Sequence, residues 1–287
     1  MRAPSMVLSI CPLAIALVIA AAGCKRTATE ATNEIKSRLT EKLSGLAAGA
    51  GAMHKAGKTS IPDKDEPTPE LLAAAFVFQP SFVVDGGVYK AGKAVAVKVP
   101  GAPGGVMVLS CMHILGPAGG MPRQLQARDV PTSVKQTTLI DIHGKEIAIG
   151  PALAVPGAKP FALPDASTDI SAFAAPAFLA SRALELAPEK PSIGDSVWLL
   201  ARLIGGAPPT MLLHHAHVRQ SDDKMLGYEF ENNRLNLTAT SGAAVLNARG
   251  QVVGLNLGGG LVGNKLNVFA NPITSVRKKI ELVLAAK

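Results

Sequence analysis

Aromatic side chains are scarce in this 287-residue chain, with one Trp, two Tyr and eight Phe. A folded part must therefore build its core from Val, Leu, Ile and Ala, which the 48% hydrophobic content allows. Cysteine is almost absent, with three in all: Cys11, Cys24 and Cys111. Cys11 and Cys24 lie in a leader region, which leaves Cys111 with no partner for a disulfide and the fold resting on its core alone. Charge is low at 17%, which argues against global disorder. The net charge of +8 gathers at the two ends, in Lys25, Arg26, Lys36 and Arg38, then in Arg277, Lys278 and Lys279. No basic stripe is interleaved with aromatics, so nucleic acid is excluded as the expected partner. A basic tail beside an anionic membrane fits those charges better. Length favours one domain plus a tail, since domains commonly run ~100–200 residues and all-β ones up to ~250.

The first residues read as a targeting segment. Arg2 supplies a positive start, and Met6 to Ala22 carries no charge. The run is short for a spanning helix, which needs ~20 apolar residues. It ends in Ala21-Ala22-Gly23-Cys24, small residues that suit a signal peptidase. A Cys directly after such a run resembles the bacterial lipoprotein signal. That resemblance implies a signal peptide over residues 1–23, acylation of Cys24 and a lipid anchor in the membrane. Ala21 stands where such signals usually carry Leu. Residues 24–69 read as a tether. A short helix capped by Asn33 gives way to Gly-Ala-rich sequence and then to the Pro-rich stretch Ile61 to Pro69.

From about residue 70 the pattern becomes short β-runs between turn residues. Ala94 to Val99 and Val106 to Ser110 flank Gly101-Ala-Pro-Gly-Gly105. Thr137 to Asp141 and Glu146 to Ile149 flank His143-Gly144. Ser196 to Ile204, Met211 to Val218, Met225 to Glu231, Ala244 to Asn247, Gln251 to Asn256 and Lys265 to Ala270 follow. Asn271 is expected to cap a final helix with Pro272 at its first position. Ile273, Val276, Ile280, Val283 and Leu284 form the apolar face of that helix. Many strands at short intervals imply a sandwich or barrel rather than βαβ units.

Three segments carry chemistry together. An apolar strand runs into His113 through Ser110-Cys111-Met112. Asp169 opens a small strand, Asp169-Ile-Ser-Ala-Phe173. Ser241 sits in Thr238-Ala-Thr-Ser-Gly-Ala-Ala-Val245, followed by Gly250-Gln-Val-Val-Gly-Leu255. In order and spacing these resemble the trypsin-like (chymotrypsin-fold) serine proteases, in their bacterial disulfide-free branch. Ser192 to Trp198 and Asn271 to Val276 are also similar to family segments, so the likeness spans about residues 70–287. It implies an all-β fold of two six-stranded Greek-key barrels, about 70–185 and 190–287, with a C-terminal helix. It also implies a serine endopeptidase that needs no cofactor or metal and takes polypeptide substrates; with the lipoprotein signal, the expected place is the bacterial cell envelope, at its periplasmic or extracellular face.

The roles implied are those of a Ser-His-Asp triad. Ser241 would attack, His113 would move the proton, and Asp169 would orient the imidazole. The N–H groups of Ala239 and Ser241 would form an oxyanion hole. Leu255, Asn256, Leu257 and Gly258 would pair with a substrate backbone. Ala239 stands where the family has Gly, Thr240 where it has an acid or amide, and Ala244 where it has Pro. A restricted oxyanion turn and an inactive, peptide-binding relative are therefore alternatives to an active enzyme. The segment Arg234 to Thr238 offers no carboxylate to a specificity pocket, so a small or apolar residue is expected at the cleaved position. His215 and His217 share one strand face, yet the sequence shows no second ligand cluster for a metal. Asp165 is the acid competing with Asp169, and Cys111 reads as a small buried apolar residue.

Overall fold

The computed structural model describes residues 75–286; the leader, Cys24 and the tether lie outside them. The described chain is mostly strand. β1 (Phe78–Val84) and β2 (Gly87–Lys90) form an antiparallel hairpin about Asp85 and Gly86. Both turn residues have positive φ, 49° and 78°, as a two-residue primed turn needs. β3 (Val95–Lys98) and β4 (Val106–Ser110) form the second hairpin. A four-residue helix, α1 (Val130–Ser133), precedes β5 (Val134–Asp141), β6 (Glu146–Ala148), β7 (Ala152–Leu153) and β8 (Ser171–Ala174).

These eight strands make two four-stranded sheets, ordered β2-β1-β5-β6 and β3-β4-β8-β7. A bridge between Phe78 and Ala94 joins them at one corner. The buried rings of Phe82 and Phe173 stack between the sheets, with centroids 5.6 Å apart. The second half is a closed barrel of β9 (Ser196–Leu200), β10 (Leu213–Ser221), β11 (Leu226–Phe230), β12 (Ala244–Leu246), β13 (Val252–Val262) and β14 (Lys265–Pro272). Alternation fills it: Ala216, Val218, Tyr228 and Phe230 are buried, while His215, His217 and Glu229 face outward.

The segment between the halves stitches them together. Leu184 donates to the Ala96 carbonyl and accepts from Lys98, while Glu185 and Ala187 bond to Val252 of the barrel. The helix α2 (Ile273–Ala285) then buries Ile273, Val276, Ile280 and Val283, the face read from the sequence. Its start differs from expectation. β14 runs through Pro272, so Asn271 is a buried strand residue and caps nothing; Pro272 takes the cap position without a side-chain bond.

Candidate active site

Asp169 lies two residues before β8 and is fully buried. Burying a carboxylate is costly unless donors surround it, and three N–H groups do so. Oδ1 accepts the backbone N–H of His113 at 2.8 Å; Oδ2 accepts the Phe161 N–H at 3.1 Å and faces His113 Nδ1 at 2.6 Å. A carboxylate facing Nδ1 makes that nitrogen the donor and turns Nε2 away from Asp169. The Asn271 amide donates to the Asp169 carbonyl at 2.8 Å and holds the backbone from below. Phe161 also packs edge-on to the His113 ring, centroids 5.6 Å apart. Asp165 bonds Ser167 instead, through its hydroxyl and its N–H, and takes no part in orienting the imidazole.

Ser241 precedes β12 in the barrel. Its loop meets the His113 segment through one acceptor: the Asn256 carbonyl takes the Gly242 N–H at 2.7 Å and the Cys111 thiol at 3.2 Å. Cys111 is buried beside Asp169, and burial pushes its thiol well above the ordinary range, which makes it an inert apolar filler. Gly242 has φ 86°, and a Cβ there would collide with the Lys93 carbonyl and Ser110 Oγ. That close approach explains the glycine after the serine.

The turn itself is strained. Ala239 has φ 60°, a left-handed conformation that costs an alanine roughly 1–2 kcal/mol. The N–H groups of Ala239 and Ser241 find no acceptor among the described residues, whereas the Thr240 N–H between them bonds to the Leu237 carbonyl. Two N–H groups without an acceptor, on the serine and two residues before it, are the kind of donors an oxyanion would need. The Ser241 hydroxyl donates to the Leu257 carbonyl at 3.0 Å and makes no hydrogen bond to His113.

Two groups hold this turn: Asn256, expected from the sequence only at the substrate edge, and Lys93, which the sequence did not suggest. Asn256 is completely buried; its amide donates to the Thr240 carbonyl and hydroxyl at 3.1 and 2.9 Å, and its oxygen accepts from Tyr228 at 2.7 Å. Lys93 donates its backbone N–H to the Ser241 carbonyl at 2.7 Å and its ammonium to the Ala239 carbonyl at 3.0 Å. Burial lowers the Lys93 ammonium below its ordinary range, and no carboxylate pairs with it among the described residues.

The expected substrate edge needs correction at its start. Leu255 pairs with Ala244 on one side and Asn271 on the other, and the Asn256 N–H and carbonyl are both spent on the serine loop. Those two residues have no open edge. Leu257 and Gly258 lie beyond the end of β12, with Gly258 at a bulge against Phe269, and only from there does β13 have a single strand neighbour.

No protein-family model and no curated protein matches the sequence. Solved structures match the fold. A serine endoprotease from Yersinia pestis aligns with a TM-score of 0.50 at 16% identity, covering 79% of this chain and 68% of that one. The Rv3671c protease of M. tuberculosis in its active form gives 0.49 at 16%, covering 81% and 94%. The HtrA-type protease AlgW, solved with a tripeptide, gives 0.49 at 12%, covering 77% and 64%. At such identities the likeness concerns fold. The described β-rich chain shares its overall fold with the serine endoprotease from Yersinia pestis.

Proposed function

We propose that this chain is a serine endopeptidase acting on exported proteins through Ser241, His113 and Asp169. The observation that carries the reading is the Asp169–His113 pair, 2.6 Å apart, in a chain whose fold matches a serine endoprotease. A buried carboxylate that bonds one imidazole nitrogen, and also the same residue's backbone N–H, leaves Nε2 as the site for a travelling proton.

In the proposed reaction the Ser241 hydroxyl leaves the Leu257 carbonyl, rotates toward His113 Nε2 and attacks the scissile carbonyl carbon. His113 takes the hydroxyl proton as the C–O bond forms. The negative oxygen of the tetrahedral intermediate is met by the Ala239 and Ser241 N–H groups. Collapse expels the amine, which leaves with the proton from His113, and an acyl-enzyme remains on Ser241 Oγ. Water, giving a proton to the same imidazole, then adds to the acyl carbon; the bond to Ser241 Oγ breaks, His113 returns the proton to that oxygen, and the acid leaves. The substrate backbone lies along the open edge from Leu257 onward, as an added strand. The lack of a carboxylate in Arg234 to Thr238 favours a small or apolar residue before the cut. Cys24 carries the lipid that holds the enzyme at the bacterial envelope, with the tether giving reach.

A fluorophosphonate probe tests the chemistry. Wild-type protein should be labelled, and Ser241→Ala and His113→Ala should not; folded wild type that stays unlabelled removes the hydrolase reading. Metabolic labelling with an alkynyl fatty acid tests the anchor, which predicts label on the wild type and none on Cys24→Ser. A second reading is favoured by the positive φ of Ala239 and by the Ser241 bond to Leu257: a protease-like module that holds extended peptides without cutting them. It predicts saturable binding of an extended peptide with no turnover, and binding that survives Ser241→Ala.

A further inference from the structure

We infer that His215, His217 and Glu231 form a transition-metal site on the outer face of the barrel, with zinc as the ion its donors fit. It lies apart from the triad residues and does not rest on the protease reading. The sequence shows two of the ligands, on alternate positions of β10. The fold adds the third. β10 and β11 pair Ala216 with Phe230 and His217 with Glu229, so the next step of the ladder sets Glu231 across from His215.

The geometry suits an ion. One donor atom from each residue lies within 4.8 Å of the others. His217 Nε2 and His215 Nδ1 converge on the same carboxylate oxygen of Glu231, at 3.1 and 3.4 Å. Tetrahedral zinc with bonds of ~2.1 Å holds its ligand atoms about 3.4 Å apart, so small side-chain shifts would admit the ion. Two imidazoles and a carboxylate are a common zinc set that leaves a fourth position for water.

The surroundings prepare the ligands. His215 Nε2 lies 3.0 Å from Ser196 Oγ; with the ion bound, donation from Nε2 to that hydroxyl would leave Nδ1 as the ligand atom in place of its contact with Glu231. The indole of Trp198, 5.1 Å from the His215 ring, restricts its rotation. The nearest competing carboxylate, Glu229, is already held by Arg219 and Lys265 at 3.0 Å each. The three ligands are partly exposed, with 27%, 32% and 63% of their side chains accessible, so an ion can enter. Bound there, it would cross-link β10 to the end of β11 and stabilise the folded state by mass action.

The test uses the full chain, stripped with chelator and titrated with zinc chloride at neutral pH. Calorimetry gives stoichiometry and affinity, and Trp198, the only tryptophan, reports at the site by fluorescence. The expected result is one saturable site per chain and a higher thermal midpoint. His217→Ala and Glu231→Gln should each weaken binding at least tenfold, and Ser196→Ala by roughly tenfold through His215. His217→Gln, which keeps a polar partner for Glu231 and guards against a folding defect, should lose the ion as well. His143→Ala, in a separate hairpin, should change nothing. Folded wild type without saturable binding, or affinity unchanged in His217→Gln and Glu231→Gln, overturns the site and leaves only ion pairs.

Discussion

The two sides of the candidate active site are built to different standards. On the His113 side the orienting carboxylate is tied down: both Asp169 oxygens accept N–H bonds, and the Asn271 amide N–H donates to the backbone behind them. On the Ser241 side the hydroxyl points at a main-chain carbonyl, and the turn that carries it contains an alanine at positive φ. Acid–base machinery of the first kind is rigid before substrate arrives. The second side holds strain that Asn256 and Lys93 contain from outside. On the proposed reading, control over catalysis would therefore lie with the Ser241 loop.

The harshest way to break that contrast is Asp169→Asn. The amide can still accept one N–H, but it would favour the wrong imidazole tautomer, and the hydrolytic rate should fall on the order of 10⁴-fold with the fold retained. Measured kcat on a chromogenic peptide checks it, with circular dichroism to confirm folding. A loss below tenfold would mean that the carboxylate is a structural strut only.

Lys93→Met attacks the other side. Removing a charged donor from the Ala239 carbonyl should let the turn relax and lower kcat about tenfold, with KM little changed. The double variant with Ala239→Gly should recover part of the loss, because glycine holds positive φ unaided. Lys93→Arg, which keeps the charge, should lie between. If Lys93→Met leaves kcat untouched, the turn needs no outside support.

How much of this could be read from the chain is uneven, for physical reasons. His113 and Asp169 each sit in a short motif, and the fold brings that pair together; Ser241 also sits in a motif, but its hydroxyl bonds the Leu257 carbonyl. Asn256 and Asn271 make their decisive bonds to residues 16 and 102 positions away, and no local pattern marks such partners. Lys93 looks like any surface lysine until the fold lays Ser241 over its backbone. The β1–β2 hairpin was legible in principle, since Asp85-Gly86 is a strong primed-turn pair flanked by alternating residues. The misplaced start of the substrate edge came from β12, whose length sets how much of β13 stays open, a matter of pairing rather than composition.

A gentler probe of the strained side is Ala239→Gly alone. Glycine relieves the left-handed strain but gives the unfolded chain more freedom, so the net gain should be small, roughly 0.5–1 kcal/mol. A denaturant midpoint measures it. Stability that falls instead would show that the alanine methyl is a packing contact and that the turn stores nothing. Activity should rise with stability here, the reverse of the usual trade-off, because the strain sits in the oxyanion turn itself.

The smallest effect belongs to the barrel beside that turn. His214 is buried, with Nε2 bonded to the Ala201 carbonyl at 2.9 Å and Nδ1 without a partner. Burial outweighs the carbonyl bond and lowers its pKa from the ordinary 6.5. As pH falls through that ordinary value the unfolded chain takes up the proton first, so stability present above it is lost until the lower folded value is reached. The thermal midpoint of wild type should therefore drop on mild acidification more steeply than that of His214→Gln, whose amide can still donate to Ala201. Parallel slopes in the two proteins would mean that the folded barrel accepts a proton at His214 as readily as the open chain. The unpartnered Nδ1 would then have found an acceptor, and the barrel would be as adjustable as the nucleophile loop it supports.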